Sequence, residues 1–480
     1  MRLLKRILLG LVIFLVVAAG LFVVFIGPWP TYSSGFEGTK YYTDDIAAID
    51  RNIAESKITN TPGRLKVGWG VALMTPPAGT PMAGFGARKG APSTGAHDDL
   101  YVKAVAFSDG EDTSVVVGSD MLLVPPNVAA MVRKQVAQET PLTPNDIHFG
   151  ASHTHDGPGS WGPGIAAYVT GGKYNPKIPP FLADAFSKAI IEAYKTLEPG
   201  KLASGSLNAE QYIRNRAREA PIDTELSYLV LEKDSGKRCY LVSFSAHPTV
   251  VGSHTTQITA EYPGALQRAI ERDTGATCAY LGGALGSSGP RAPEGSDDYA
   301  KATAMGEALA KMVLDDTKGR ELQWQTNLDV ASVGIPLEMP PLQVRVLSPK
   351  WRLSKFAGPI AGLESTGWMQ ATRVGNIVFV GLPGDFSSEI SKAWKEDAAK
   401  KNIDLWTSSF CSAYMGYISP DKYYSDAKGY ETGAMSWTGP HQEAFFTALK
   451  DHMLKALGDV PKRTPAANAP ASPPNVAPST

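Results

Sequence analysis

Two imidazoles, His153 and His155, lie two residues apart in the segment Asn145–Gly159, where an apolar strand-like run leads into His153-Thr154-His155 and stops at Asp156-Gly157-Pro158-Gly159. Residues i and i+2 of a strand face the same side, so an extended backbone here predicts that both rings share one pocket. Neutral imidazole is a good zinc ligand, and a second imidazole beside it can move protons. The plain alternative is two surface histidines on a loop rim. The abrupt Gly-Pro-Gly turn favours a site, because strand ends are where α/β proteins build them.

The same placement recurs along the chain. The apolar run Cys239–Phe244 leads into Ser245-Ala246-His247, with His254 shortly after. By itself His247 reads as structural. The β-branched run Ile377–Gly381 ends in Leu382-Pro383-Gly384-Asp385-Phe386, where Asp385 either caps the following helix or supplies an oxygen ligand. Tyr417, in the small-residue segment Phe410–Ile418, reads alone as a core tyrosine. The turn at 281–290 either connects two elements or leaves backbone N–H groups free for an oxyanion. Two histidines, a carboxylate and a tyrosine at strand ends make a plausible nitrogen and oxygen ligand set for zinc.

Alternating and apolar runs predict strands at 67–73, 101–107, 114–123, 226–232, 238–244 and 372–380. Helical spacing predicts helices at 44–57, 127–139, 180–197, 262–273, 298–314 and 388–401. Strands alternating with helices, plus the hairpin around Asp234-Ser235-Gly236, predict an α/β fold with mixed sheets layered with helices.

The chain has 480 residues, 43% of them apolar, and a net charge of −1. It can bury a large core, and without a basic stripe nucleic acid is excluded as a partner. Cys239, Cys278 and Cys411 are far apart in or beside apolar runs and are expected to be buried thiols. Arg2, Lys5 and Arg6 precede the uncharged apolar run Ile7–Ile26, long enough to cross a bilayer. This predicts a membrane anchor over 1–27 with the rest outside the cytoplasm; a cleaved signal sequence would export it equally. A stalk is expected over 28–62, one large catalytic domain over 63–460, and a disordered Pro/Ala-rich tail over 461–480.

From Val67 to Asp451 the sequence resembles the catalytic region of the neutral/alkaline, non-lysosomal ceramidases. The matching segments are Val67-Gly68-Trp69-Gly70, Met82-Ala83-Gly84-Phe85-Gly86, Gly118-Ser119-Asp120-Met121 and the His153–His155 motif, the most specific of them. Arg214-Asn215-Arg216, Phe244-Ser245-Ala246-His247, Leu382-Pro383-Gly384-Asp385-Phe386, Tyr414-Met415-Gly416-Tyr417-Ile418, Tyr430-Glu431 and Gly439-Pro440-His441 follow in order. The resemblance implies Zn2+ held by His153, His247, Asp385 and Tyr417. It implies His155 as catalytic acid–base, and Arg216 and Tyr430 as catalytic and substrate-binding groups. The implied reaction is hydrolysis of the amide of N-acyl sphingoid lipids by a water that zinc activates.

Three departures stand out. Asp385 occupies the family's glutamate position. Gly289 aligns with a functional serine, leaving Ser288 one place early as the candidate hydroxyl. The C-terminal β-sandwich of typical members is missing. Two further functions compete with the lipid amidase: a zinc esterase or amidase for another envelope substrate, and a non-catalytic anchored binding protein. Beyond a lipid-like substrate and the membrane, no obligate protein partner is inferred.

Overall fold

A computed structural model of the chain describes residues 2–56, 58, 61–363, 366–426 and 428–458. Among these, the helices in order are α1 (Arg2–Phe25), α2 (Lys40–Ser56), α3 (Pro126–Glu139), α4 (Ile165–Gly171), α5 (Ile178–Lys195), α6 (Glu261–Thr274), α7 (Asp298–Gly319), α8 (Ala357–Ala361), α9 (Ser388–Lys400) and α10 (Gln442–Ala456).

Two sheets carry the fold. The larger has eight strands, in the order Thr277–Gly282, Arg238–Phe244, Glu225–Lys233, Glu198–Asn208, Lys66–Leu73, Tyr101–Ser108, Thr113–Ser119 and Ile147–Phe149. The second holds Val330–Glu338, Thr366–Val374, Ile377–Gly381 and Asp404–Ser408. Both mix antiparallel hairpins with parallel pairs, as the alternation of elements predicted.

The eight-stranded sheet curls until its ends meet. Gly118, on the strand next to one end, lies against Tyr280 of the opposite end strand, where a Cβ would stand 2.1 Å from the Tyr280 carbonyl oxygen. Only glycine permits that approach. Inside the curl, Val67, Phe107, Leu229, Leu241 and Leu281 pack against Val330, Val374, Phe379 and Trp406 of the second sheet. Residues of α3 and α5 cover one part of the large sheet, and α6 and α7 cover another. Residues of α2, α9 and α10 pack on the outer face of the second sheet.

Several expected boundaries move, each for a local reason. The strand expected over 114–123 ends at Ser119, because the next carbonyls turn to His153: that of Met121 accepts from its backbone N–H and that of Leu122 from its ring. In the segment 410–418 only Tyr417–Ile418 is strand. Phe410 and Ser412 have φ of 66° and 63°, and Cys411 and Met415 donate to the carbonyls of Leu382 and Pro383. The segment expected as a stalk packs on the domain: Ile49 of α2 is buried in the second core, and Asp45 accepts from the Glu338 backbone at 2.9 Å. The three cysteines are buried and free. No residue of α1 is buried, and α1 is long and apolar enough to cross a membrane, a property that anchors and signal sequences share. The tail expected over 461–480 lies outside the described residues.

Candidate metal centre and active site

Parallel pairing puts the carboxyl ends of neighbouring strands side by side. Ile147–Phe149 runs parallel to Thr113–Ser119, Arg238–Phe244 to Thr277–Gly282, and Ile377–Gly381 to Asp404–Ser408. The loops leaving these ends bring His153, His247, Leu285 and Asp385 into one site.

The His-Thr-His segment is not a strand. The strand stops at Phe149, and His153 has a left-handed backbone with φ 67°, costly for a residue with a side chain. Its N–H donates to the Met121 carbonyl at 3.0 Å, which holds that turn. The two rings converge because the turn swings them together, so the expectation of a shared pocket holds while its pleated-strand reason does not.

The ring of His153 donates from Nδ1 to the Leu122 carbonyl at 2.6 Å, and that of His247 from Nδ1 to the Leu285 carbonyl at 3.3 Å. Each bond fixes the tautomer and leaves an Nε2 lone pair exposed to the site. The Nε2 of His155 lies 3.2 Å from that of His153 and 2.9 Å from that of His247. Ligand atoms of all three histidines lie within 4.8 Å of one another. Burial holds all three imidazoles neutral, pushing His153 down to about 3 and the other two well below the usual range. Two such lone pairs aimed at one point repel each other until a cation, or a proton on His155 Nε2, stands between them.

Asp385 lies beside these histidines, and Tyr417 lies beside Asp385. They are register partners in a short parallel ladder, with the Asp385 N–H donating to the Gly416 carbonyl. Asp385 Oδ2 lies 3.9 Å from His153 Nε2. The carboxylate is buried, and neither oxygen has a well-aligned donor. Burial pushes it up to about 6 against the opposing pull of Arg216 and the Tyr417 hydroxyl. The helix-capping alternative is settled: the cap of α9 is Ser387, whose hydroxyl accepts from the Glu389 N–H. Orphaned carboxylate oxygens beside converging imidazoles fit a divalent cation of the zinc type.

Arg216 borders this centre. Its Nη2 donates to the Gly286 carbonyl at 2.9 Å and to the Tyr417 hydroxyl at 3.0 Å. Tyr430 is largely exposed, its ring 5.4 Å from that of Tyr417. Ser288 is fully buried and donates to the carbonyls of Ser245 and Leu285. Gly289 pairs with Arg214, and a Cβ there would stand in ordinary contact 3.5 Å from the Arg216 Cβ. The turn 281–290 offers few free N–H groups: those of Gly282, Gly283, Gly286 and Ser288 all reach backbone carbonyls. It braces the site through Gly286 and Leu285 instead of forming an oxyanion hole from those donors. His254 lies outside the site, exposed and 3.7 Å from Asp298.

Some supporting residues carried no local signal. Phe410 stacks on the His153 ring at 3.9 Å with 4° between the planes. Gly84, at φ +113°, touches His155, and a Cβ there would stand 2.6 Å from the His155 Cα. Arg88 pairs with buried Asp156 and donates to the His155 carbonyl. A cavity of about 330 Å³ lies near the centre, lined by Leu123, Trp161, Ala166, Leu363, Tyr414 and Trp437, among others, and by none of the candidate metal or catalytic residues. Leu123 follows the residue that holds His153, and the Tyr414 ring stacks on Phe410.

Residues 65–282 match the family model described as neutral/alkaline non-lysosomal ceramidase, N-terminal. Over these residues the chain is similar to the neutral/alkaline ceramidases. The match contains His153, His155, Arg216 and His247, whereas Ser288, Gly289, Asp385, Tyr417 and Tyr430 lie beyond it. The fold agrees over a longer span. A crystal structure of neutral ceramidase from Pseudomonas aeruginosa superposes with a TM-score of 0.72 at 19% identity, covering 85% of this chain and 76% of that one. A structure described as ceramidase complexed with C2 gives 0.70 at 18% identity, covering 85% and 77%. No curated protein sequence matches the chain. The structural likeness thus extends past the residues of the sequence match.

Proposed function

We propose that this protein is a zinc-dependent amidohydrolase that cleaves the amide of N-acyl lipids of the sphingoid type, with its catalytic domain held outside the cytoplasm by α1. One juxtaposition carries the reading: the imidazoles of His153, His155 and His247 converge, Asp385 lies 3.9 Å from His153, and a largely apolar cavity begins at Leu123, the residue after the one that holds the His153 ring. The match of residues 65–282 to the neutral/alkaline ceramidase model supports it.

Bound zinc would supply Lewis acidity, polarising the scissile carbonyl and making water easier to deprotonate. The chain's own residues supply the rest. The neutral His155 imidazole takes a proton from the attacking water at Nε2 and returns one to the departing amine nitrogen as the C–N bond breaks. The Arg216 guanidinium, braced by Gly286, and the Tyr430 hydroxyl hold the oxyanion that develops on the carbonyl oxygen. The cavity beside Tyr414 and Trp437 takes an apolar chain of the substrate.

Gly289 favours a second reading, an acyl compound with a different headgroup, because it carries no hydroxyl beside Arg216 where the resembled family has a serine. The test uses the full chain in detergent, stripped with a chelator and reloaded with zinc. Release of fatty acid and amine from N-acyl sphingosine, dependent on zinc, is expected. Cleavage of esters alone selects the second reading. No cleavage of either by the zinc-loaded protein overturns both and leaves an anchored binding protein.

A further inference from the structure

The end of α1 is built into the folded domain. The carbonyls of Val24 and Ile26 accept from the Ser354 hydroxyl at 2.5 Å and the Ser354 N–H at 2.8 Å. The Trp29 indole donates to the Val23 carbonyl at 2.7 Å. The chain leaving α1 pairs with a second segment, Trp29 opposite Arg352 and Pro30 opposite Trp351. The Phe25 and Phe356 rings lie 5.9 Å apart. Segment 344–357 is therefore fixed at the point where α1 ends.

That segment and its surroundings expose large apolar side chains: Trp29, Leu347, Trp351, Phe356 and Ile360. Leu347 is the extreme case. It is 88% exposed, and it sits near the tip of a hairpin closed by the Val346 N–H on the Trp351 carbonyl. Its φ is 63°, a left-handed backbone that a leucine adopts at a cost. A strained turn that presents a leucine to water gains nothing in a purely aqueous setting. Residues 339–363 also carry Arg345, Lys350, Arg352 and Lys355 and no acidic residue. Exposed Lys350 and Lys355 flank exposed Trp351 and Phe356. Aromatic rings alternating with cations suit the boundary between headgroups and acyl chains.

The face continues to the cavity. Gly164, which precedes α4, lies against Gly362, which follows α8. Ile165, Tyr168 and Val169 of α4 are exposed, while Ala166 and Ala167 of the same helix line the cavity. Gly362 and Leu363 line it from the α8 side.

We propose that residues 344–360 together with the exposed side of α4 form a platform that seats on the bilayer holding α1, so that the cavity draws its lipid from the leaflet and not from solution. The occupant is a lipid surface carrying anionic headgroups. The proposal rests on α1 being membrane-embedded and on a lipid substrate, and the test reads the platform and the anchor separately, without turnover. Every native cysteine is buried, so one introduced surface thiol can be labelled selectively. Leu347→Cys and Ile360→Cys, each in the full chain, receive a spin label and are placed in nanodiscs of phosphatidylcholine and phosphatidylserine. Both labels are expected to be more accessible to oxygen than to a water-soluble nickel chelate. The reverse is expected for Lys237→Cys, at the opposite end of the strand that leads to His247. Nickel-accessible labels at both 347 and 360 overturn the platform. A Leu15→Cys label reports separately on the anchor, and neither readout depends on catalysis.

Discussion

The Ser288 hydroxyl and the His247 imidazole share one acceptor, the Leu285 carbonyl, at 3.1 and 3.3 Å. The same hydroxyl donates to the carbonyl of Ser245, two residues before His247. Ser288 therefore steadies both sides of a proposed metal ligand. Ser288→Ala is expected to leave measurable hydrolysis and to weaken metal binding by about tenfold, the low end for a lost outer partner, because His247 keeps its own bond. Competition with a chromogenic chelator measures the first effect and single-turnover kinetics the second. A dead enzyme with its metal still bound would point to chemistry at the hydroxyl itself.

His155 is separable from the proposed ligands. His153→Ala and His247→Ala should each lose most bound zinc by elemental analysis. His155→Ala should keep its zinc and lose about 100- to 10,000-fold in turnover, the usual contribution of a general acid–base group. Loss of zinc in that variant would make His155 a third imidazole ligand, which its position within 3.2 Å of the other two nitrogens allows sterically.

Asp385 should destabilise the metal-free fold. Its carboxyl is pushed from 3.8 to about 6, mainly by burial. Between those values the folded state binds more protons than the unfolded one, so this group's cost fades as pH drops from about 6 to 3.8 and is full above 6. Asp385→Asn removes the buried charge. At pH 7.5 the metal-free variant should gain about 1–3 kcal/mol, measured by denaturant unfolding in chelator, while zinc affinity falls. A variant less stable than the metal-free parent would show that the carboxylate is well paired.

Gly84→Ala tests positioning at a distance from the reacting atoms. The added methyl would collide with the His155 backbone and ring, and φ +113° disfavours any side chain. Displacing His155 by about 1 Å should cost on the order of 100-fold in turnover. The zinc content should hold, since the Leu122 and Leu285 carbonyls still orient His153 and His247. Unchanged turnover would mean that His155 moves without consequence.

What the amino-acid sequence determined was local. Alternating and apolar runs marked most strands to within a few residues, as in Arg238–Phe244 and Ile377–Gly381. Periodicity marked α3, α5, α6 and α9 in the same way. These signals survive because side-chain period and backbone geometry belong to a single element. The candidate residues were legible as types at strand ends, and their likeness to one family ordered them. Tertiary structure decided which of them meet, because a meeting depends on backbone bonds between segments far apart in the chain. His153 turns toward His155 through a left-handed residue tied to Met121, where the pleat of a strand had been expected. Asp385 is left free for the site because Ser387 caps the helix and the ladder to Tyr417 holds its backbone. In the turn at 281–290 the N–H groups of Gly282, Gly283 and Gly286 are taken by the carbonyls of Ala151, Phe244 and Phe386, far away in the chain. The expected stalk became a packed helix because Ile49 finds a core contributed by residues some 300 positions later. No window of the sequence contains those partners, so no local pattern could have announced them.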